Sequence, residues 1–269
     1  MTALRNVFER ANAEGRAALV AYLTAGDPEP KATVRYAEAL AAGGADLLEL
    51  GVPFSDPLAD GPVIQRATER ALAAGTRVAD VLEIAREVHE RVGVPILVMS
   101  YLNPILQFGW ERFVRDGASR GVVGALLTDV PPEEAEPFLP AAERAAWGTV
   151  FLVAPTSDER RIERAAALST GFLYCVSRLG VTGGGASLSD AFRPVLATIR
   201  RVSDVPVAVG FGISTEAHAR EVGRHADGVI VGSAFVSIVE RAASVTEAAA
   251  ELERTARGLR RALEEARAA

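Results

Sequence analysis

The sequence predicts an α/β protein, a single (β/α)8 TIM barrel over residues 1–269 with an extra N-terminal helix. Three observations predict it. Eight short runs rich in Val, Leu and Ile recur along the chain; segments with apolar positions three and four apart lie between them; and the length matches the roughly 250 residues that eight strand–helix units occupy. Short, continuously apolar runs are the mark of strands covered on both faces, which is how parallel sheets are built.

Taken in order, Leu4, Val7, Phe8 and Ala11 form one apolar helical stripe ahead of the first strand, suited to covering the open bottom of a barrel. The strands follow as AALVAYL ending at Leu23, DLLEL at Leu50, PILVM at Met99, GALL at Leu127, VFLV at Val153, FLYC at Cys175, PVAV at Val209 and GVIV at Val231. Val78, Val81, Leu82, Ala85 and Val88 illustrate the helical spacing between them. The tail, 242–269, is Ala, Arg and Glu at helical spacing and supplies the last outer helix. No linker interrupts the pattern.

Composition narrows the chemistry. The 29 cationic residues, against 35 acidic ones, comprise 28 arginines and one lysine, Lys31, and the net charge is -6. Schiff-base and pyridoxal chemistry need a reactive lysine, and only this one is on offer. An acidic chain without a basic cluster does not suit nucleic acid, whose affinity rests on many cation–phosphate contacts. The single cysteine, Cys175, excludes an intrachain disulfide, and His89, His218 and His225 show no metal-ligand spacing. No window reaches the apolar length of a membrane span and no signal-peptide stretch opens the chain, so a soluble, cytoplasmic protein is expected.

In such barrels the reactive groups sit at the carboxyl ends of the strands. Glu49 lies inside the otherwise apolar second strand, where a carboxylate is either paired with an arginine or kept for proton transfer. Asp60 follows in the next loop, and Asp60-Gly61-Pro62 ahead of VIQRATERAL also suits a helix N-cap. Asp129 ends the fourth strand as an orienting group or a turn residue. The stretch SRLGVTGGGASLS after the sixth strand reads as a mobile lid, and Cys175 as a small core residue. GFGIS at 210–214 and GSA at 232–234, after the last two strands, carry the glycines and helix starts that hold a phosphate in barrels.

ELGVPFSDPLADGPVIQ at 49–65, YLTAGDP at 22–28, MSYLNP at 99–104, SRLGVTG at 177–183 and GFGIS together closely resemble the tryptophan synthase alpha chain family, over nearly the whole sequence. The resemblance implies cleavage of indole-3-glycerol phosphate to indole and glyceraldehyde 3-phosphate. It also implies delivery of the indole through a tunnel to a pyridoxal-dependent beta chain in an α2β2 assembly, with no cofactor in this chain and no metal. Glu49 and Asp60 then fall on the catalytic positions, Glu49 as proton donor and shuttle, Asp60 as the acceptor of the indole N–H. Tyr22, Tyr101, Leu127, Tyr174 and Thr182 fall on substrate-binding positions, and Gly183, Phe211, Gly212, Gly232 and Ser233 on phosphate-binding ones. Pro53, Phe54, Asp56, Asn103, Pro104 and Pro131 fall on the rim that would face the beta chain. Two positions depart from the common pattern: Tyr22 where Phe is frequent, its hydroxyl needing a partner, and Leu102 where a second Tyr is common. A stand-alone lyase that releases free indole, and a non-catalytic activator of the beta chain, are the alternatives.

Overall fold

A computed structural model of the chain describes residues 1–176, 188–210 and 212–267, with the backbone alone at 188–191. Eight parallel strands close in sequence order: β1 (Ala18–Thr24), β2 (Leu47–Gly51), β3 (Ile96–Ser100), β4 (Val122–Leu127), β5 (Gly148–Val153), β6 (Phe172–Val176), β7 (Val207–Gly210) and β8 (Gly228–Val231), the last pairing back onto β1. Each apolar run marked in the sequence forms one of these strands.

Twelve α-helices occur among the described residues: α1 (Ala3–Ala13), α2 (Pro30–Ala42), α3 (Pro62–Ala73), α4 (Val78–Val92), α5 (Leu102–Phe108), α6 (Trp110–Ala118), α7 (Leu139–Arg144), α8 (Glu159–Leu168), α9 (Leu188–Val202), α10 (Glu216–Gly223), α11 (Ser233–Arg241) and α12 (Val245–Ala266). One helix was expected beyond the eighth strand, and two are present. The tail is the last outer helix, as its spacing indicated: α12 packs on α2 and α10 and completes the ring, while the shorter α11 packs on α3 and β1. The additional helix at Ser233–Arg241 begins at the GSA turn, and its apolar residues run straight on from the strand before it.

Alternation along each strand divides the core in two. Leu19, Ala21, Leu48, Leu50, Val98 and their counterparts face the helices, whereas Val20, Leu47, Leu97, Leu126, Val150 and Tyr174 fill the barrel together with Leu4, Val7, Phe8 and Ala11 of α1. The stripe on α1 is fully buried, so this helix is a plug. Glycines make its seat. A β-carbon added at Gly148 would lie 2.6 Å from Leu4 Cδ2, and one at Gly228 would lie 2.5 Å from Phe8 Cε1. The Phe8 ring then rests on Phe172 with centroids 4.8 Å apart.

Candidate active site

The opposite, carboxyl-terminal end of the barrel has polar groups where the bottom has apolar ones. Glu49 occupies an inward position of β2, in register with Tyr22 on β1 and Leu97 on β3. It is fully buried, and neither carboxyl oxygen has a hydrogen-bond partner among the described residues. The arginine pairing that its position left open does not occur there. Burial first, and the negative charge of Asp60 second, push its pKa up to about 8. A carboxyl group in that state is protonated at neutral pH and placed to give the proton away.

Asp60 comes from the loop that leaves β2. The capping alternative fails, because Gly61 is the N-cap of α3 and makes no side-chain cap, with Pro62 in the first turn. The Asp60 carboxylate is instead free for the pocket. Its backbone is held by its own N–H donating to the Pro57 carbonyl at 3.1 Å and by the Gln65 side-chain amide donating to its carbonyl at 2.9 Å. Tyr101, just past β3, donates its hydroxyl proton to the Asp60 carboxylate and accepts the Ala59 N–H at 2.8 Å. Burial raises the Asp60 pKa to about 6, and the bond from Tyr101 opposes the rise. The two carboxyl groups thus differ in their protonation at neutral pH.

Two further tyrosines stand around them. Tyr22 and Thr24 hydroxyls are 3.3 Å apart, which supplies the partner that the Tyr22 hydroxyl required. Gly51 makes room for that ring, since a β-carbon there would collide with the phenol. Gly210 does the same for Tyr174, whose hydroxyl would lie 2.6 Å from an added β-carbon. Burial raises the pKa of both phenols above the ordinary value, and the negative charge of Glu49 adds to the rise at Tyr174.

The apolar wall needs one correction. Leu127 lies in the layer between strands and helices, beside a cavity of about 40 Å³ that Trp110, Val130 and Phe138 also line, and so faces away from the barrel interior. Its neighbour Leu126 takes the inward place, because side chains alternate along β4. Met99, Leu152 and Val176 are half-buried at inward positions and pack on the interior cluster. Sequence reading passed over them, although each stands two residues beyond an inward neighbour, Leu97, Val150 or Tyr174.

At the phosphate end, Gly232 caps α11 with no side-chain bond, and Ser233 opens the helix exposed to solvent. The first recorded bond of this turn runs from Val236 N–H to the Gly232 carbonyl at 3.1 Å, so the amides of Ser233, Ala234 and Phe235 have no acceptor within the helix. Gly212 adopts φ +82°, the left-handed region that favours glycine. Thr182, Gly183 and Phe211, with most of the anticipated lid, lie outside the described residues.

On the rim, Phe54 packs on Tyr101 with ring centroids 5.4 Å apart, Asp56 and Asn103 are exposed, and Pro104 and Pro131 are half-buried. Pro53, expected on the same rim, is buried. Leu58 and Leu106, 94% and 51% exposed, are apolar rim residues that the motif comparison did not single out. Asp129 orients a neighbour, accepting the Leu102 N–H at the start of α5 at 2.8 Å. Cys175 is buried in the core, its thiol pushed up to about 12. Among the described residues no cluster of His, Cys, Asp and Glu could hold a metal, and no helix is long and apolar enough to cross a membrane.

A family model described as tryptophan synthase alpha chain matches residues 8–264. The chain belongs to the tryptophan synthase alpha chain family. The alpha chain of Solibacter usitatus is 52% identical over 261 residues, covering 97% of this chain and 98% of that one. That of Geobacter sulfurreducens is 49% identical over 241 residues, covering 90% and 91%. Among solved structures, M. tuberculosis tryptophan synthase superposes with a TM-score of 0.88 at 37% identity, covering 97% of this chain and 98% of that one. The alpha subunit of Legionella pneumophila gives a TM-score of 0.87 at 34% identity, covering 98% and 99%. Membership in this family carries the activity: tryptophan synthase alpha chains are lyases acting on indole-3-glycerol phosphate, in the biosynthesis of tryptophan.

Proposed function

We propose that Glu49 and Asp60 divide the chemistry of indole-3-glycerol phosphate cleavage in this chain. The reaction is a retro-aldol. A proton added at indole C3 makes the ring nitrogen an electron sink, a base takes the proton of the glycerol hydroxyl beside the C3 bond, and the electrons of the breaking bond return to the ring. Indole and glyceraldehyde 3-phosphate result. Glu49, buried and protonated, gives the proton to C3, and as the carboxylate so formed it is available to take the hydroxyl proton. Asp60, largely ionised at neutral pH, accepts the indole N–H and stabilises the positive charge that develops there. The observation that carries this reading is the unpartnered, buried carboxyl group of Glu49 beside a second carboxylate that has a donor of its own.

The indole ring fits the apolar space among Tyr22, Met99, Tyr101, Leu126 and Leu152, with Tyr174 toward the glycerol portion. The phosphate fits the open amides of α11 at Ser233, aided by Gly212 and Gly232. A β-carbon at Gly232 would stand 3.5 Å from Tyr22 Cβ, an ordinary contact, so packing within the chain does not itself demand glycine there. Space for a dianion does. Thr182, Gly183 and Phe211 belong to the same proposal through the family motif. So do the α2β2 assembly with a pyridoxal-containing beta chain, the rim at Phe54, Asp56, Asn103, Pro104 and Pro131, a cytoplasmic location, a single-domain chain and the absence of a cofactor from it.

The test is an indole-release assay of the full chain and its Glu49→Gln and Asp60→Asn variants, with and without a beta chain. Losses of about 10²–10⁴-fold in each variant are expected. Near-normal turnover in either one refutes its role.

A further inference from the structure

Outside the pocket, α3 and α11 are laced together by charge. Arg66 donates to both carboxylate oxygens of Glu240 at 2.5 and 2.8 Å, and Arg70, one turn further along α3, reaches Glu240 at 3.2 Å. The same guanidinium makes a second, two-pronged pair with Asp27 at 2.7 and 2.8 Å. Asp27 lies on the loop between β1 and α2 and is only 3% exposed, so its charge depends on that partner. Under the ion pairs, Ile64 and Ala67 of α3, Val236 of α11 and Tyr22 of β1 form one apolar cluster.

The two helices so joined have different tasks at their amino ends. α3 begins two residues beyond Asp60, and its Gln65 holds the Asp60 carbonyl. α11 begins at Ser233, the open phosphate end. An exposed ion pair has little worth by itself, but Arg66 grips Glu240 with two prongs and Arg70 grips Asp27 with two while adding one bond to Glu240, and paired contacts of this kind fix angle as well as distance.

We propose that Arg70 is a positioning residue which, with Glu240, couples the phosphate seat on α11 to the arm that presents Asp60. Each half of the substrate then binds better when the other half is in place. The proposal rests on the reading above that these two ends serve phosphate and indole.

Coupling of this kind is reciprocal and is measurable with the two fragments. The full chain is titrated calorimetrically with glycerol 3-phosphate and with indole, each alone and at saturation of the other, for the wild type, Arg70→Lys and Glu240→Gln. Arg70→Lys keeps a cation opposite Asp27, and Glu240→Gln leaves the Arg70–Asp27 pair untouched; thermal melts confirm folding. In the wild type each fragment tightens the other by about fivefold or more. In both variants each fragment alone retains its wild-type affinity; the mutual enhancement disappears in Glu240→Gln and falls in Arg70→Lys, where Arg66 still grips Glu240. Enhancement undiminished in either variant, or missing from the wild type, overturns the proposal. Ser233→Asp separates the underlying reading: unchanged glycerol 3-phosphate affinity in that variant refutes the phosphate site itself, whatever the coupling.

Discussion

The hydroxyl of Tyr101 joins two strands' loops, accepting the Ala59 N–H at 2.8 Å while donating to the Asp60 carboxylate. Its bond favours the charged form of Asp60 against the burial that disfavours it. Tyr101→Phe removes the donor and leaves the Ala59 amide without this acceptor. Asp60 then titrates above its present value of about 6, and the acid limb of kcat/KM moves to higher pH. Loss of a hydrogen bond to a charged group costs about 1.5–3 kcal/mol, so a rate loss of roughly ten- to a hundredfold at pH 7 is expected. Parallel pH–rate profiles of variant and wild type check this. An unmoved acid limb removes Tyr101 from the role.

The same two carboxyl groups set the pH window of the wild type. Activity needs Asp60 ionised and Glu49 protonated, so kcat/KM should rise through about pH 6 and fall through about pH 8. Asp60→Asn removes the neighbouring charge that contributes to the high pKa of Glu49. In whatever activity remains, the basic limb should therefore shift downward. A basic limb that stays in place would mean that another group controls it.

Glu49 also makes a prediction about stability. Its folded-state pKa of about 8 stands above the usual glutamate value, so between roughly pH 4.5 and pH 8 the folded chain holds a proton that the unfolded chain has released. The unfolded state binds fewer protons in that window, and stability therefore falls as pH rises through it, then levels above about 8. Glu49→Gln has no such term. Its unfolding free energy should exceed that of the wild type by a margin that grows from pH 5 to pH 8, reaching the order of a few kcal/mol. Thermal unfolding across this range measures the margin, and a constant difference would show that Glu49 does not titrate as placed.

What the sequence revealed and what it hid follow from the range of each interaction. The strands were legible because both faces of a parallel barrel strand are apolar, and α1 because Leu4, Val7, Phe8 and Ala11 form a complete stripe. Glu49 stood out because a charge in such a strand has no local excuse. Leu126 and Leu127 are adjacent and identical, so the side of β4 on which each falls depends on register, which only closure of the barrel sets. Asp60 taken with its neighbours alone read better as a cap, since nothing local distinguishes it from Gly61, and its distinguishing partner, Tyr101, is 41 residues away. The Arg70 fork joins residues 27, 70 and 240, a contact no short-range pattern announces.

The glycines under the plug were equally silent, and they allow stability to be separated from catalysis. A β-carbon at Gly148 would meet Leu4 Cδ2 at 2.6 Å and Leu4 Cβ at 2.7 Å, both parts of a fully buried side chain that cannot swing aside. Gly148→Ala must therefore shift α1 or widen the barrel base, and overpacking of this kind costs about 1–3 kcal/mol. The paired carboxyl groups lie at the other end of the strands, so kcat and KM measured well below the melting temperature should stay at wild-type values. Gly210→Ala presents the same methyl to the Tyr174 hydroxyl at 2.6 Å, at the substrate end, and should change KM and kcat. Denaturant melts and steady-state kinetics on the two variants test the separation. If Gly148→Ala slowed turnover as much as Gly210→Ala, the base of the barrel would be positioning the carboxyl groups as well as supporting them.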